Sequence, residues 1–177
     1  MIEARPVVEE TELEQILELQ RCNLARSLGE REIAENGFVT VEHTLDVLRR
    51  MHALVPSVVA KDGAELAGYA LVMPVECRSF IPVLQPMFQR LEALGVFQRR
   101  FYVMGQICVA KPYRGRGVFD LLYRTHRERL RGRFDSVVTE VSVRNARSLR
   151  AHQRVGFEEL ERYRDATDEW VLLIWKW

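Results

Sequence analysis

Two arginines and two glycines alternate in a short basic loop that follows an apolar run, as Arg114, Gly115, Arg116 and Gly117. The glycines permit a sharp turn and the close approach of a bulky ligand. The arginines carry charges that suit phosphate oxygens. A helical pattern begins at Val118, so the free N–H groups and the dipole of a helix N-terminus would favour an anion at the same point. The segment therefore predicts an anion site at a strand-to-helix turn.

Neither of the common phosphate-binding motifs accounts for this turn. The sequence has no GxxxxGK[ST] segment, which argues against a P-loop. It also has no GxGxxG segment that opens a β-α-β unit at the start of the chain, which argues against a dinucleotide-binding fold. A plain glycine-rich connection that binds no ligand is the alternative reading.

The turn resembles the pyrophosphate-binding segment of the GNAT N-acetyltransferase superfamily, which reads Arg/Gln-x-x-Gly-x-Gly/Ala. Five of the six positions from Arg114 to Phe119 conform to this pattern. The departure is Phe119, which stands where the family usually has Gly or Ala. The Phe119 ring is larger than the side chain of Gly or Ala and affects how closely a diphosphate can approach. The main-chain N–H of Phe119 is still available for a hydrogen bond.

A second segment, residues 140–157, looks like the strand, Asn, helix, Tyr and Gly-Phe pattern of the same superfamily. Asn145 and the pair Gly156-Phe157 match the pattern. His152 stands seven residues after the asparagine, where the family frequently has a tyrosine. The two segments have the order and spacing of the family, and together they cover residues 105–157.

The resemblance implies that acetyl-CoA, or another acyl-CoA, is the cofactor and lies between strands 101–109 and 135–143. Strand residues 107–109 would pair with the pantetheine arm through their main chain, as an added strand would. The turn would hold the pyrophosphate, and residues 145 and 148 would bond to the far end of the arm, although Asn145 is equally suited to a helix N-cap. The expected cofactor-binding residues are Ile107, Cys108, Val109, Arg114, Gly115, Arg116, Gly117, Val118, Phe119, Asn145 and Ser148.

The resemblance also implies direct attack of an amine on the thioester carbonyl. Glu140 is the expected base and Glu76 is an alternative, whereas Gln106 could only orient a water molecule. A main-chain N–H near Val109 would stabilise the oxyanion. His152 is the expected acid for the departing thiolate, because it replaces the family tyrosine and its ordinary pKa near 6.5 would let it carry a proton near neutral pH. A histidine that only packs or caps its helix is the alternative.

Composition and charge indicate an ordinary globular protein. The 177 residues are predicted to form one domain, 1–177, with 47% apolar and 29% charged residues. The net charge of +1 gives no overall field toward nucleic acid or membrane, so neither is expected as a partner. Cys22, Cys77 and Cys108 lack metal-ligand spacing, so we expect reduced thiols, no metal and a cytoplasmic location.

Hydrophobic periodicity predicts mixed strands and helices. Helical patterns occur at 9–24, after a Thr40 N-cap, and at 83–94, 118–131 and 145–155, and a loop is expected at 27–39. The predicted strands are 2–7, 57–61, 65–75, 101–109, 134–143, 158–163 and 169–177.

These elements predict an α/β (α+β) fold with a mixed, mostly antiparallel sheet of about seven strands and helices on both faces. The resemblance adds a central parallel strand pair that splays apart to admit the cofactor. The apolar last strand, 170–177, could pair with a second copy, so a homodimer is possible.

The sequence thus favours an acetyl-CoA-dependent N-acetyltransferase that acts on a primary amine of a small-molecule or protein acceptor. The first alternative is a CoA-binding sensor or regulatory module without turnover. The second is a phosphate-ligand or nucleic-acid binder that uses the helix predicted at 118–131, which carries Arg124, Arg127, Arg129 and Arg131. The near-neutral net charge argues against it.

Overall fold

In the computed structural model, residues 1–177 are described throughout, except for the side chain of Ala34. Over these residues the strands are β1 (Ile2–Pro6), β2 (Val58–Asp62), β3 (Glu65–Met73), β4 (Phe101–Val109), β5 (Ser136–Ser142), β6 (Glu158–Arg164) and β7 (Glu169–Lys176). The α-helices are α1 (Glu10–Asn23), α2 (Glu30–Asn36), α3 (Leu45–Leu54), α4 (Gln85–Ala93), α5 (Val118–Leu130) and α6 (Ala146–Val155). Short 3₁₀ helices occur at Ala25–Ser27, Val75–Ser79, Pro82–Leu84, Val96–Gln98 and Lys111–Tyr113.

The strands form one sheet in the order β1-β2-β3-β4-β5-β7-β6. Neighbouring strands are antiparallel except β4 and β5, which are parallel. That pair is in register only from Phe101–Ser136 to Val103–Val138, and the strands separate beyond it. The predicted mixed sheet with a splayed central parallel pair is confirmed.

Helices cover both faces of the sheet, and alternation along β4 and β5 sends side chains to each. Val103 and Val138 join a buried cluster with Ile16 of α1, and this cluster also includes α3 and α4. Tyr102 and Val137 join the opposite cluster, which includes α5. Each large apolar side chain buried in this way contributes about 1.5–3 kcal/mol. The two clusters fix the positions at which β4 and β5 diverge.

A β-bulge lies in β4 where it leaves β5. Ala70 of β3 pairs with Ile107 and Val72 pairs with Met104, so two β4 residues, Gly105 and Gln106, oppose one residue of β3. An unpaired extra residue bends the bulged strand and increases its twist. The bulge therefore helps turn the second half of β4 away from β5 and leaves one of its edges open.

Three sequence predictions about elements are corrected. The segment 27–39 is not a plain loop, because it contains α2, which ends at Gly37 with a φ of 73°. The second helix is capped by Thr44 rather than Thr40, since the Thr44 side chain accepts a hydrogen bond from the Val47 N–H. Finally, β7 lies between β5 and β6, so the prediction that it offers a free edge to a second copy is wrong. Among the helices that the structure describes, none is both long and apolar enough to cross a membrane.

Candidate active site

The turn between β4 and α5 adopts the conformation that its glycines favour. Gly115 and Gly117 both have a φ of 76°, and Gly117 is the N-cap of α5. A Cβ added at either glycine would meet nothing within 4 Å. The requirement for glycine is therefore the left-handed backbone, which other residues adopt at a cost of about 1–2 kcal/mol.

The main-chain donors of this turn are available to a ligand. Within the described chain, the N–H groups of residues 115–120 have no acceptor, and the first helical bond runs from the Leu121 N–H to the Gly117 oxygen at 3.0 Å. The Phe119 ring packs against Tyr123 and His152, with centroids 5.1 and 5.2 Å away. The ring therefore packs between α5 and α6, and the turn keeps the free N–H groups of a helix N-terminus, which are the donors that an anion site uses.

Arg114 lies beside this turn but directs its guanidinium into the protein. Its Nε donates to the Val109 carbonyl at 3.2 Å, and its Nη2 donates to Asn23 Oδ1 at 2.6 Å. Its Nη1 is buried and has no partner among the described residues. The Arg114 side chain thus links α1 to the end of β4 and leaves one donor for a ligand. Arg116 is exposed, with its guanidinium 5.1 Å from the centre of the Tyr113 ring.

A cleft of about 550 Å³ connects the turn to the open edge of β4. This volume is within the range of small-molecule and cofactor sites. All of the predicted cofactor-binding residues except Arg116 line it. Its other walls come from α6 and from the segment that follows α2. The structure therefore brings the two sequence segments together in one cleft.

The open edge of β4 presents main-chain groups to the cleft. The Ala110 N–H donates to the Ala67 oxygen of β3 at 2.9 Å. Because the main-chain hydrogen-bonding groups alternate along a strand, the N–H and C=O of Cys108 also face β3. Those of Ile107 and Val109 face the open side. Burial raises the pKa of the Cys108 thiol to about 12, so this residue is not a nucleophile at neutral pH.

Asn145 joins the two sides of the cleft. Its Oδ1 accepts from the Ser148 N–H at 3.2 Å as the N-cap of α6, and its Nδ2 donates to the Phe38 oxygen at 3.0 Å. A Cβ at Gly37 would lie only 2.7 Å from this Oδ1, so the close approach requires glycine there. Arg147 adds a hydrogen bond of 2.8 Å to the Glu35 oxygen. The amide of Asn145 thus holds the segment after α2 against α6.

His152 is enclosed by aromatic side chains. Its ring is 1% exposed, and its centroid lies 5.1–5.5 Å from those of Phe119, Tyr123 and Phe157. Nδ1 lies 2.8 Å from the Ser148 oxygen, so it holds the proton of a neutral ring, and Nε2 has no partner within the described residues. Burial lowers the pKa of His152 to about 4. The structure therefore does not support the expectation that this histidine carries a proton near neutral pH.

Glu140 lies where β4 and β5 separate. A second cavity of about 70 Å³ occupies this gap, and Glu140 and His152 both line it. Glu140 is two residues from Val138, so it faces the side of the sheet that α1 covers. Burial raises the pKa of Glu140 to about 7, although the hydroxyl of Tyr163 donates a hydrogen bond that lowers it. A carboxyl with this pKa is suited to general base catalysis.

The two alternatives to Glu140 have other environments. The side chain of Gln106 is engaged by the protein, because its Oε1 accepts from Tyr69 and Gln20 and its Nε2 donates to the Val41 oxygen at 2.8 Å. Glu76 is exposed in the 3₁₀ helix that follows β3. Geometry therefore favours Glu140 over both.

The site also includes residues that the sequence does not place there, among them Asn23, Tyr163 and Trp170. Tyr163 lies at the end of a predicted strand, but no local signal places β7 between that strand and β5. Asn23 precedes the segment 27–39, which is predicted as a loop, and Phe38 lies within that segment and lines both cavities. Their roles depend on contacts between residues far apart in the chain.

Several solved structures share this fold. The ribosomal-protein-S18-alanine N-acetyltransferase of Escherichia coli is 15% identical with a TM-score of 0.63, covering 99% of this chain and 94% of its own. Ard1 from Thermoplasma volcanium is 13% identical with a TM-score of 0.69, covering 99% and 97%. The yncA protein of Salmonella typhimurium, determined with its cofactor acetyl-CoA, is 18% identical with a TM-score of 0.63, covering 99% and 93%.

A comparison with curated protein sequences found no match. A sequence model described as the Acetyltransferase (GNAT) family matches residues 14–157. This match spans most of the chain. It includes the open edge of β4, the capped helix α6 and the turn at residues 114–117, which we call the anion turn because its free N–H groups suit an anion. The chain therefore belongs to the acetyltransferase (GNAT) family.

Proposed function

We propose that this acyltransferase moves an acetyl group from acetyl-CoA to a primary amine of a small-molecule or protein acceptor by direct attack. One observation carries the proposal. A cleft whose anion turn has free N–H groups leads along an open strand edge to a gap that Glu140 lines. The cleft thus connects a turn suited to an anion with a buried carboxyl suited to act as the base.

The residues of the cleft fit a CoA thioester. The N–H groups of residues 115–119 suit the diphosphate, and Arg114 Nη1 is a buried donor with no partner in the described part of the chain. The main-chain groups of Ile107 and Val109 suit the amides of the pantetheine arm. Asn145 and Ser148 would border its far end. The acyl-CoA supplies the activated thioester that an amine can attack.

The gap between β4 and β5 is where we place the chemistry. Glu140 would take one proton from the acceptor nitrogen as the N–C bond forms and the C–S bond breaks. A main-chain N–H on the open edge of β4 would stabilise the charge that develops on the carbonyl oxygen. Since the pKa of His152 is lowered to about 4, we propose that the departing thiolate is protonated from solvent and that His152 shapes the cavity.

The acceptor is proposed only as a class. The neighbour from Escherichia coli is an N-acetyltransferase of ribosomal-protein-S18 alanine, so peptides with a free N-terminus belong in an acceptor panel beside polyamines and amino acids.

The three cysteines are free thiols, which supports a reducing compartment such as the cytoplasm.

A two-stage experiment tests the function. Thermal shifts with acetyl-CoA and with CoA measure binding, and release of free thiol across an amine panel measures transfer. We expect both, with thiol release lost in Glu140→Gln and the CoA shift retained. Absence of any shift at millimolar CoA would overturn the proposal. Binding without thiol release from any amine would favour the sensor or regulatory module instead.

A further inference from the structure

Tyr163 reaches Glu140 from two strands away. The order β5-β7-β6 places β7 between them, and neighbouring strands lie about 4.8 Å apart. Even so, the Tyr163 hydroxyl donates to Glu140 Oε2 across β7. Glu140 pairs with Leu172 of β7, and Tyr163 pairs with Trp170, so the bond runs diagonally over the sheet face. The side chains of Tyr163 and Glu140 thus span the width of β7 to form this hydrogen bond.

The protein holds Tyr163 in place from a third element. Tyr163 is 7% exposed although β6 is an edge strand, and the guanidinium of Arg90 in α4 lies 5.7 Å from its ring centre. Arg90 Nε is 3.3 Å from Glu161 Oε2, two residues before Tyr163 on the same strand. The tyrosine is therefore fixed between β6 and α4, with its hydroxyl directed at Glu140.

We propose that Tyr163 is a positioning residue for the base: it binds Glu140 Oε2, keeps the carboxylate ionised near neutral pH and leaves Oε1 free for the acceptor amine. This inference rests on the proposed function, in which Glu140 takes the proton. A phenol that donates to a carboxylate stabilises its charged form, and the bond also restricts the carboxylate to one orientation.

The other groups around Glu140 have different effects. Burial raises the pKa of this carboxyl most strongly, the Tyr163 hydrogen bond lowers it, and the charge of Asp165 in the β6–β7 turn raises it again. Arg90 and Glu161 lie behind the tyrosine as an ion pair, and His152 of α6 is neutral. Tyr163 is thus the group in contact with Glu140 whose removal makes the carboxylate harder to ionise.

The test compares two Tyr→Phe variants. Tyr163→Phe removes the donor to Glu140, and Tyr102→Phe is the control, because its buried hydroxyl lies 3.1 Å from His126 Nδ1 in the opposite core. We expect Tyr163→Phe to move the acid limb of the kcat/KM–pH profile up by about one to two pH units, the size of a hydrogen bond to a charged group. At pH 7 this lowers activity about five- to fifty-fold. Tyr102→Phe should leave the limb unchanged.

A second readout does not depend on turnover. Titration of ¹³C-labelled glutamate by NMR gives the pKa of Glu140 directly, and Tyr163→Phe should raise it by the same amount as the kinetic limb. Replacing Tyr163 by 3-fluorotyrosine, which keeps the shape and donates more strongly, should move both values down. This variant covers the case in which the phenylalanine variant does not fold.

The outcomes separate this inference from the proposed function. If Glu140→Gln retains activity while the NMR titration still responds to Tyr163→Phe, Glu140 is not the base and the kinetic part of the inference fails with it. If Glu140→Gln is inactive and neither the limb nor the NMR titration responds to Tyr163→Phe, the proposed function stands and the role of Tyr163 is overturned.

Discussion

Replacing Glu140 by Gln should stabilise the protein at alkaline pH while abolishing acetyl transfer. Burial raises the pKa of Glu140 from 4.5 to about 7. Between pH 4.5 and pH 7 the folded state therefore keeps the carboxyl proton, whereas the unfolded state has largely lost it. The unfolding free energy consequently falls as pH rises through this window, which is the reverse of the usual behaviour of an ion-paired carboxylate.

The magnitude follows from the size of the shift. A shift of about 2.5 pH units at about 1.4 kcal/mol per unit gives about 3 kcal/mol above pH 8, where the buried carboxylate is fully charged. At pH 5 the same group is protonated in the folded state, and the penalty is about 1 kcal/mol or less. Glutamine avoids the charge, and its amide oxygen can still accept from Tyr163. For a domain of this size the gain at pH 8.5 corresponds to roughly 6–12 °C in Tm.

The assay is thermal unfolding of both proteins at pH 5 and pH 8.5, with thiol release measured on the same samples. Glu65→Gln is the matched control, because Glu65 also accepts from a tyrosine, Tyr113, at 2.8 Å but is exposed. We expect a gain at pH 8.5 for the Glu140 variant alone. A Glu140→Gln protein that is equally or less stable than the parent at pH 8.5 would refute the reasoning that a buried charge is held there.

Two further predictions concern stability. Acidification from pH 7 to pH 5 should lower the unfolding free energy of the Glu140→Gln variant by about 5 kcal/mol in urea titrations. Burial lowers the pKa of His43, His126 and His152 to about 4, whereas the unfolded chain protonates them near 6.5. An unfolding free energy that does not change between the two pH values would contradict this. Gly63→Ala should cost about 1–2 kcal/mol for its φ of 62° alone. Gly37→Ala should cost clearly more, since its Cβ would also meet Asn145 Oδ1 at 2.7 Å, and equal losses for the two would contradict the close contact.

The sequence contained enough information for the sheet and for the anion turn. The alternation of Arg114 to Gly117 between a strand and a helix fixes a local geometry, and local geometry is what residue types and periodicity encode best. The seven strands follow from apolar runs bounded by turn residues. The helix over Glu30–Asn36 was missed because it is only seven residues long and lies between two glycines.

The side chains of the site were harder to predict, because their environments come from distant parts of the chain. The Arg114 side chain points inward because it donates a hydrogen bond to Asn23 at the end of α1, ninety-one residues earlier in the chain. His152 is neutral because aromatic rings from α5 and from the residues after α6 enclose it. Tyr163 meets Glu140 across β7, which lies between β5 and β6, so the contact joins two strands that are not neighbours. None of these neighbours can be read from spacing along the sequence.

The central claim is that main-chain N–H groups of residues 115–119 bind the diphosphate of the cofactor. Amide NMR during titration with CoA, and separately with pantetheine, tests it most directly. The account predicts that the amide protons of this turn shift downfield with CoA, as new hydrogen bonds require, and stay in place with pantetheine, which has no diphosphate. Saturating CoA binding that leaves these resonances unmoved would contradict it.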